Sequence, residues 1–297
     1  MLDVNFYHTL SRLQLKMQHK SSLNLSGGRK SLRKGSSAEF SDFREYRQGD
    51  DLRRLDWNAY ARLDKLYLKE YMEEKEAVVS VLIDTSASMD YGESSKAELA
   101  KDLAAIVSFL ALNNMDRLAL YDMRDMSREL SAGGGKNAFP KVLRWLEGLE
   151  FSGQADMLAA AGKMRLRGAG ITVIVSDFLH PDMFLTDAEN GKNSRYEKLL
   201  RFLEYARQRP VILHTLAAEE LRISMEGAWN LIDAEEGSRL RLTVDTKTIE
   251  SYDRQLRGLT ERMKRGCAAC GGAYVLCDAG KDRGKLVFQD LREIYDI

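Results

Sequence analysis

The sequence predicts an α/β protein with a doubly wound, mostly parallel sheet, and three observations support this fold class. From Ala77 onwards, short apolar runs alternate with stretches of helical periodicity, as in strands joined by crossover helices. The runs are almost wholly apolar, which is typical of strands covered on both faces. Only 3 of the 297 residues are proline, which favours long regular elements.

The main strands are predicted, in chain order, at 77–83, 117–122, 171–176, 211–216 and 273–276. Helices are predicted between and after them, at 96–113, 138–149, 155–165, 195–208, 248–264 and 285–295. Between residues 221 and 244, two further strand-like stretches flank Glu235-Glu236-Gly237. This pattern predicts a β-hairpin inserted after the fourth main strand.

Residues 1–38 differ from the rest and are predicted to form a basic, partly flexible arm. Between Asp3 and Glu39 the chain carries lysines and arginines but no acidic residue, and residues 21–37 are rich in Ser and Gly. Such an arm is either solvated or binds an acidic partner face. RNA is a further alternative, although no aromatic side chain interleaves the basic ones for base stacking.

Charge and composition argue against several classes of protein. The chain has 45 basic and 45 acidic residues, so no overall field attracts it to nucleic acid or membrane. Its 3 cysteines cannot form a disulfide framework. The apolar windows are shorter than the roughly 18 residues of a membrane span, and the first residues lack the pattern of a secretory signal. We therefore expect a cytoplasmic protein with reduced thiols and no membrane span.

Carboxylates and hydroxyls follow two of the predicted strands. The first strand leads into Asp84-Thr85-Ser86-Ala87-Ser88, and the third is followed by Asp177. In open α/β sheets, ligands bind beyond the carboxyl ends of the strands, and hard oxygen ligands suit Mg²⁺ or Mn²⁺. The alternative is that Asp84, Ser86 and Ser88 only turn the chain and cap the next helix.

The Asp84-Thr85-Ser86-Ala87-Ser88 run resembles the DxSxS signature of the metal-ion-dependent adhesion site in von Willebrand factor type A domains. In that family the Asp and both Ser hold Mg²⁺ directly or through water, a Thr comes from a second loop and an Asp from a third. A partner's Glu or Asp fills the open position. The resemblance implies a metal that bridges two proteins, with no catalysis.

The run from Arg44 to Trp57, R-E-Y-R-Q-G-D-D-L-R-R-L-D-W, is similar to the hallmark of the domain-of-unknown-function fifty-eight proteins. These are bacterial and archaeal relatives of the von Willebrand A fold, and the likeness extends over most of the chain after about residue 26. It implies a family-specific segment, 39–76, that packs on a von Willebrand A-like domain, 77–297. It also implies an adaptor that works with a MoxR-type AAA+ ATPase, or a client offering an acidic side chain, in chaperone-like maturation or remodelling of a complex.

The second metal loop departs from the family pattern. Where the family usually has Gly-Gly-Thr-Asp/Asn-Leu, this chain has Gly153-Gln154-Ala155-Asp156-Met157. Ala155 supplies no hydroxyl, and a water or the Asp156 carboxylate could fill the gap. We therefore expect a metal site that is weak, altered or vestigial. The resemblance and the residues together give Asp84, Ser86, Ser88, Asp177 and Asp156 as the expected ligands of Mg²⁺ or Mn²⁺.

The charged signature segment has two interpretations. Its Asp and Arg residues, among them Asp50 and Asp56, can form an internal network, for which Arg is a preferred donor. Alternatively, part of the segment faces the partner, with binding by Asp51, Arg53, Trp57 and Arg62.

The function we predict is docking without catalysis, and two rival functions stay open. A metal-dependent hydrolase would use His180, three residues after Asp177, as general base. A nucleic-acid-binding protein would use the basic arm.

Overall fold

The computed structural model describes residues 4–16, 39–47, 50–52, 55–63, 65–72, 77–92, 95–166, 168–180, 183–184, 194–225, 227–235 and 237–296. The chain divides into two compact units. The main unit contains Met1–Lys20 and Ala77–Ile297, and the smaller unit is Ser21–Glu76.

The strands are β1 (Gln14–Leu15), β2 (Glu39–Glu45), β3 (Tyr67–Met72), β4 (Val78–Ile83), β5 (Arg117–Asp122), β6 (Glu129–Ala132), β7 (Gly170–Ser176), β8 (Gln208–Leu216), β9 (Gly227–Ile232), β10 (Arg239–Val244), β11 (Ala273–Asp278) and β12 (Tyr295–Asp296). The α-helices are α1 (Val4–Leu10), α2 (Trp57–Leu63), α3 (Lys96–Asn113), α4 (Phe139–Glu147), α5 (Met157–Lys163), α6 (Arg195–Tyr205), α7 (Ala218–Leu221), α8 (Thr246–Ala269) and α9 (Arg283–Lys285). Short 3₁₀ or π turns lie at Ala87–Met89, Lys136–Ala138, Leu286–Asp290 and Leu291–Glu293.

The central sheet of the main unit has six strands in the order β11-β8-β7-β4-β5-β6. The first five of these are parallel to their neighbours, and the edge strand β6 is antiparallel to β5. The chain enters the sheet at β4, builds outward to β6, and then returns to the other side of β4 with β7. This confirms the doubly wound, mostly parallel sheet and puts its topological switch point between β4 and β7.

The strand β4 shows why the fold is doubly wound. Its side chains at Val79, Val81 and Ile83 enter one apolar cluster, and Leu82 enters another on the opposite face. A strand with alternate residues in two cores has to be covered by helices on both faces. The nearly continuous apolar run of this strand is the sequence signal of that arrangement.

The inserted hairpin is also confirmed. β9 and β10 pair antiparallel, with Ile232 beside Arg239 next to the turn. Edge strand β6 is an element that sequence reasoning did not find, because it has four residues and of its apolar side chains only Leu130 is buried.

The C-terminal residues differ from the predicted helix 285–295. A helical turn at Arg283–Lys285 passes into a π turn and a 3₁₀ turn, and the chain then ends in β12. Leu286, Leu291 and Tyr295 all enter the same apolar cluster, so core packing rather than regular helix geometry sets this path.

Part of the predicted basic arm folds with the main unit. β1 pairs antiparallel with β12, and Tyr7, Leu10 and Leu15 are buried in the main apolar cluster. These apolar side chains give residues 4–16 a packed position that the net basic charge of the arm concealed. Residues 1–3 and 17–38, the rest of the predicted arm, lie outside the described residues.

The smaller unit contains an antiparallel pair, β2 and β3, with an irregularity between Phe40 and Asp42. Helix α2 begins after Asp56, whose carboxylate accepts the backbone N–H groups of Asn58 at 2.8 Å and Ala59 at 3.2 Å. Sequence reasoning found no regular elements here, because the charged signature obscures the strand pattern. That segment 39–76 packs on the main domain stays a prediction.

Across the part of the chain that is described, no helix has the length and apolar character needed to cross a bilayer.

Candidate functional site

The candidate site lies where neighbouring parallel strands end. Ile83 is level with Asp122 of β5 on one side and with Val175 of β7 on the other. Parallel register therefore brings the ends of three strands together, and with them three aspartates: Asp84, Asp122 and Asp177. All three are buried.

The DxSxS run gathers its oxygens around Asp84. The Asp84 Oδ1 accepts the Ser86 hydroxyl at 2.7 Å and the Ser86 backbone N–H at 3.0 Å, and Oδ2 accepts the Ser176 hydroxyl at 2.6 Å. The Ser86 and Ser88 Oγ atoms are 3.1 Å apart. Asp84 thus also stabilises the turn that carries both serines, which is part of the alternative that Asp84, Ser86 and Ser88 only turn the chain and cap the next helix.

The spacing of these oxygens fits a small divalent cation. Around an octahedral Mg²⁺ with bonds of about 2.0–2.1 Å, adjacent ligand oxygens lie roughly 2.9 Å apart. The separations of 2.7 Å from Asp84 Oδ1 to Ser86 Oγ and of 3.1 Å from Ser86 Oγ to Ser88 Oγ bracket that edge length. Carboxylate and hydroxyl oxygens are also the ligand types that Mg²⁺ and Mn²⁺ prefer.

Burial makes the Asp84 carboxylate costly to ionise on its own. Loss of solvent first, and then the nearby negative charge of Asp177, raise the pKa of Asp84 to about 6 despite the hydrogen bonds from Ser176 and Ser86. A positive charge placed between the two carboxylates would relieve both effects.

Asp177 has a partner that the sequence did not suggest. Its Oδ2 lies 2.8 Å from Nζ of Lys96, the first residue of α3, and the same Nζ lies 2.6 Å from Glu220 Oε1. Burial acts to lower the pKa of Lys96, but the two carboxylates outweigh it and raise that pKa. The buried ammonium group therefore stays charged between the two carboxylates. Each carboxylate oxygen has a further lone pair, so this pairing leaves Asp177 able to bind a cation as well.

His214 of β8 holds the backbone beside Asp177. Its Nε2 lies 2.7 Å from the Asp177 carbonyl oxygen, and its Nδ1 lies 2.7 Å from the Tyr274 hydroxyl. Complete burial lowers the pKa of His214 to about 4, so the ring is neutral. A carbonyl can only accept, hence Nε2 carries the proton and Nδ1 accepts from Tyr274.

Asp122 anchors the loop from beneath. Its Oδ1 accepts the Thr85 hydroxyl and the backbone N–H of Arg124, the latter at 3.1 Å. Thr85, between Asp84 and Ser86, is thereby tied to the neighbouring strand. Asp122 is the last residue of β5, much as Asp84 and Asp177 directly follow β4 and β7. This position at a strand end is a signal in the sequence from which Asp122 could have been predicted as part of the site.

Asp156 lines the same cleft but is already engaged. Its carboxylate caps α5 by accepting the Ala159 backbone N–H at 3.0 Å, and it forms an ion pair with Arg195. Partial burial acts to raise the pKa of Asp156, but the hydrogen bonds from Arg195 and Ala159 outweigh it and hold that pKa below its usual value. Both of these donors contact Asp156 Oδ1, and the expected role of Asp156 as a metal ligand stays a prediction.

The expected metal ligands all line one cleft, which has a volume of about 390 Å³. Its wall includes all the expected metal ligands and Ala155, together with His180, Arg195 and Glu235. The lining therefore carries four carboxylates, those of Asp84, Asp156, Asp177 and Glu235, against one guanidinium group. No group of three or more His, Cys, Asp or Glu side chains has metal-binding geometry within the described ranges, so a cation here depends on the serine hydroxyls.

The expected partner-binding residues lie apart from this cleft in the chain, in the smaller unit. Trp57 is 65% exposed on α2 and its ring packs edge-on against Tyr60, with centroids 6.3 Å apart. Arg62, on the same helix, and Asp51 are exposed as well. Arg53 lies outside the described residues.

The internal interpretation of the signature segment accounts for other charges. Asp50 forms an ion pair with Arg44 at 2.9 Å, and Asp56 caps α2. These contacts fit an internal network for Asp50 and Asp56, whereas partner binding by Asp51, Arg53, Trp57 and Arg62 stays a prediction.

Comparison with known proteins gives a family and several relatives. Residues 42–262 match the family described as "Protein of unknown function DUF58". The uncharacterized proteins Mb1516 of Mycobacterium bovis and Rv1480 of Mycobacterium tuberculosis are each 27% identical to this chain over 278 residues, 90% of this chain and 84% of the relative.

Similar solved structures share little sequence with this chain. BatB from Bacteroides thetaiotaomicron is 12% identical with a TM-score of 0.40, over 73% of this chain and 98% of that one. An aerotolerance-related membrane protein from Bacteroides fragilis is 14% identical with a TM-score of 0.41, over 73% of this chain and 100% of that one. A von Willebrand factor type A protein from Catenulispora acidiphila is 13% identical with a TM-score of 0.39, over 87% of this chain and 50% of that one.

Proposed function

The chain belongs to the family described as "Protein of unknown function DUF58", and from that premise we propose that it is a non-enzymatic docking protein. The cleft at the switch point holds Mg²⁺ or Mn²⁺ and binds an acidic side chain of a partner protein. The observation that carries this proposal is the row of oxygens from Asp84 through Ser86 to Ser88, which has the edge lengths of an octahedral cation site.

Each residue has a distinct part in this proposal. Asp84, Ser86 and Ser88 supply the ligand oxygens, and Asp177 adds a second negative charge held in place by Lys96 and His214. A bound divalent cation supplies a positive charge with a position open to an outside carboxylate. Burying a partner's carboxylate without such a charge would be unfavourable.

The partner we propose is a MoxR-type AAA+ ATPase or its client, as the family resemblance implies. The acidic lining of the cleft supports a bridging cation, because a carboxylate from a partner is repelled by Asp84 and Asp177 unless a positive charge lies between them. The exposed Trp57 and Tyr60 of α2 suit a second contact, since aromatic side chains often anchor protein interfaces.

Metal titration tests the first half of the proposal. Mn²⁺ is titrated by calorimetry into the full chain as wild type, Asp84→Asn and Ser86→Ala, with Ser131→Ala on the exposed side of β6 as the matched control. We expect binding to wild type and the control, and a loss of roughly tenfold or more in affinity for the two cleft variants. Undiminished Mn²⁺ binding by Asp84→Asn would contradict the proposed site.

Capture from native lysate tests the second half. Wild type and Asp84→Asn are used as bait in Mg²⁺ and in EDTA, and bound proteins are identified by mass spectrometry. An AAA+ ATPase captured by wild type in Mg²⁺ alone is the expected result. Its capture in all four conditions would refute a bridging cation, and its absence from all four would refute the ATPase as partner.

His180 keeps a second candidate function, metal-dependent hydrolysis, because its side chain lines the same cleft. A hydrolase would release phosphate from a phosphoester such as p-nitrophenyl phosphate with Mn²⁺, and His180→Ala would abolish that turnover. Docking predicts no turnover by either protein.

A further inference from the structure

The β9–β10 hairpin is exposed along most of its length but sends one acidic side chain into the cleft. Every residue of β9 is exposed, and all but two of β10 are as well. Glu235, in the turn between them, is half-buried and lines the cleft with Asp84, Ser86 and Ser88.

The turn has a defined geometry that sets this direction. The backbone N–H of Glu235 donates to the Asp233 Oδ1 at 2.8 Å, and the backbone N–H of Gly237 donates to the Asp233 carbonyl at 3.0 Å. Gly237 has a φ of +68°, a conformation that favours glycine. Glu235 is thus presented by a closed turn whose backbone is hydrogen-bonded within itself.

The Glu235 carboxylate meets the end of the oxygen row. It accepts a hydrogen bond from the Ser88 hydroxyl, and it is close enough to Asp177 for the two negative charges to repel. A carboxylate in this position is poorly placed without a cation and well placed with one.

We propose that Glu235 is an internal ligand of the cation, so that the chain's own hairpin takes the position which a partner's carboxylate takes on docking. This inference rests on the proposed cation site. It adds that, without a partner, Glu235 occupies the open coordination position of the cation, and that the hairpin has to move away from the cleft before a partner's carboxylate can bind.

The exposure of the hairpin is consistent with such a movement. Trp229, Ile232 and Leu240 are large apolar side chains that remain exposed on its two strands. Little apolar burial opposes separation of the hairpin from the cleft.

Two measurements on the full chain test the proposal. The first is Mn²⁺ affinity by calorimetry for wild type, Glu235→Gln and the control Glu250→Gln, which lies exposed on α8. The second is hydrogen–deuterium exchange of residues 227–244 with and without Mn²⁺. We expect roughly tenfold weaker Mn²⁺ binding by Glu235→Gln alone, and slower hairpin exchange with Mn²⁺ in wild type and the control but not in Glu235→Gln.

The possible failures are distinguishable. Mn²⁺ binding that requires Asp84, is unchanged in Glu235→Gln and leaves hairpin exchange unaltered would overturn the internal ligand and leave the proposed function intact. Absence of Mn²⁺ binding by wild type would overturn both.

Discussion

The Nζ of Lys96 lies 2.8 Å from the Asp177 carboxylate, and both side chains are almost wholly buried. The pair connects the first turn of α3 to the end of β7. A buried charge without a partner destabilises the fold, so Lys96 and its carboxylate partners each depend on the other for their burial to be tolerated. The negative charge at the switch point thus depends on a positive charge carried by a different element.

Replacing Lys96 by methionine should destabilise the fold strongly. The buried carboxylate of Asp177 and the partly buried carboxylate of Glu220 would lose their counter-charge. We expect a loss of about 3–5 kcal/mol in the free energy of unfolding. Urea denaturation measures it. Lys101→Met is the control on the same helix: Lys101 pairs with the exposed Glu98 at 3.2 Å, and its loss should cost less than about 1 kcal/mol. Equal effects would contradict a special role for Lys96.

The contribution of His214 to stability should be lost as the pH is lowered from about 6.5 towards 4. The pKa of Asp84, raised to about 6 in the folded chain, acts in the opposite direction over the same range. In the folded chain the pKa of His214 is about 4 against 6.5 for an ordinary histidine. Between these values the unfolded chain binds a proton that the folded ring excludes, so acid favours unfolding by up to about 3 kcal/mol.

The measurement is urea unfolding of wild type, His214→Gln and His8→Gln between pH 4 and 7.5. The groups that face His214 are Asp177 and Lys96 across the sheet edge and the Tyr274 hydroxyl on β11. Gln keeps a donor for the Asp177 carbonyl but does not titrate, so the stability of His214→Gln relative to that of wild type should increase as the pH is lowered. His8 is exposed on α1 and serves as the control. An unchanged slope in His214→Gln would refute this assignment.

Restoring a hydroxyl at position 155 should strengthen metal binding. Ala155 lines the cleft at the position where the family pattern given above has a threonine. A neutral oxygen there would add a ligand or hold a metal-bound water. We expect Ala155→Thr to bind Mn²⁺ more tightly than wild type in calorimetry. Ala155→Val has nearly the same shape without the hydroxyl. If Val tightens binding as much as Thr does, packing rather than ligation is the cause.

Removing the Thr85 hydroxyl should destabilise the chain and disturb the loop. Asp122 is fully buried and its Oδ1 would lose one of its donors, at a cost of about 1–3 kcal/mol in Thr85→Val. Thr243→Val, at an exposed position on β10, should change the unfolding free energy by less than about 0.5 kcal/mol. A Thr85→Val protein as stable as wild type would show that Asp122 does not need this bond.

The main strands and the inserted hairpin could be predicted because their signal is local. Apolar runs such as β4 are covered on both faces, and the turn at Glu235 and Gly237 separates two alternating stretches. The expected ligands Asp84, Ser86, Ser88 and Asp177 also reach one cleft, since each lies just beyond the end of a parallel strand.

The groups that complete the cleft could not be predicted, because their role depends on contacts distant in the chain. Lys96 begins a helix and resembles any solvated lysine there, yet its partners are Asp177 and Glu220, 81 and 124 residues away. Glu235 lies in a polar turn that sequence reasoning treats only as a connection. Nothing in the local pattern distinguishes either residue from a surface charge.

The pairing of β1 with β12 also limits which parts of the chain can fold while it is being synthesised. Residues 14 and 15 leave the ribosome early, but their partners, residues 296 and 295, are made some 280 residues later. α1 can dock as soon as α3 and α4 exist, through Tyr7 against Phe109 and Phe139, whereas Leu15 has to wait. A ribosome that stalls before residue 295 therefore leaves a nascent chain in which the backbone groups of β1 lack their partner strand.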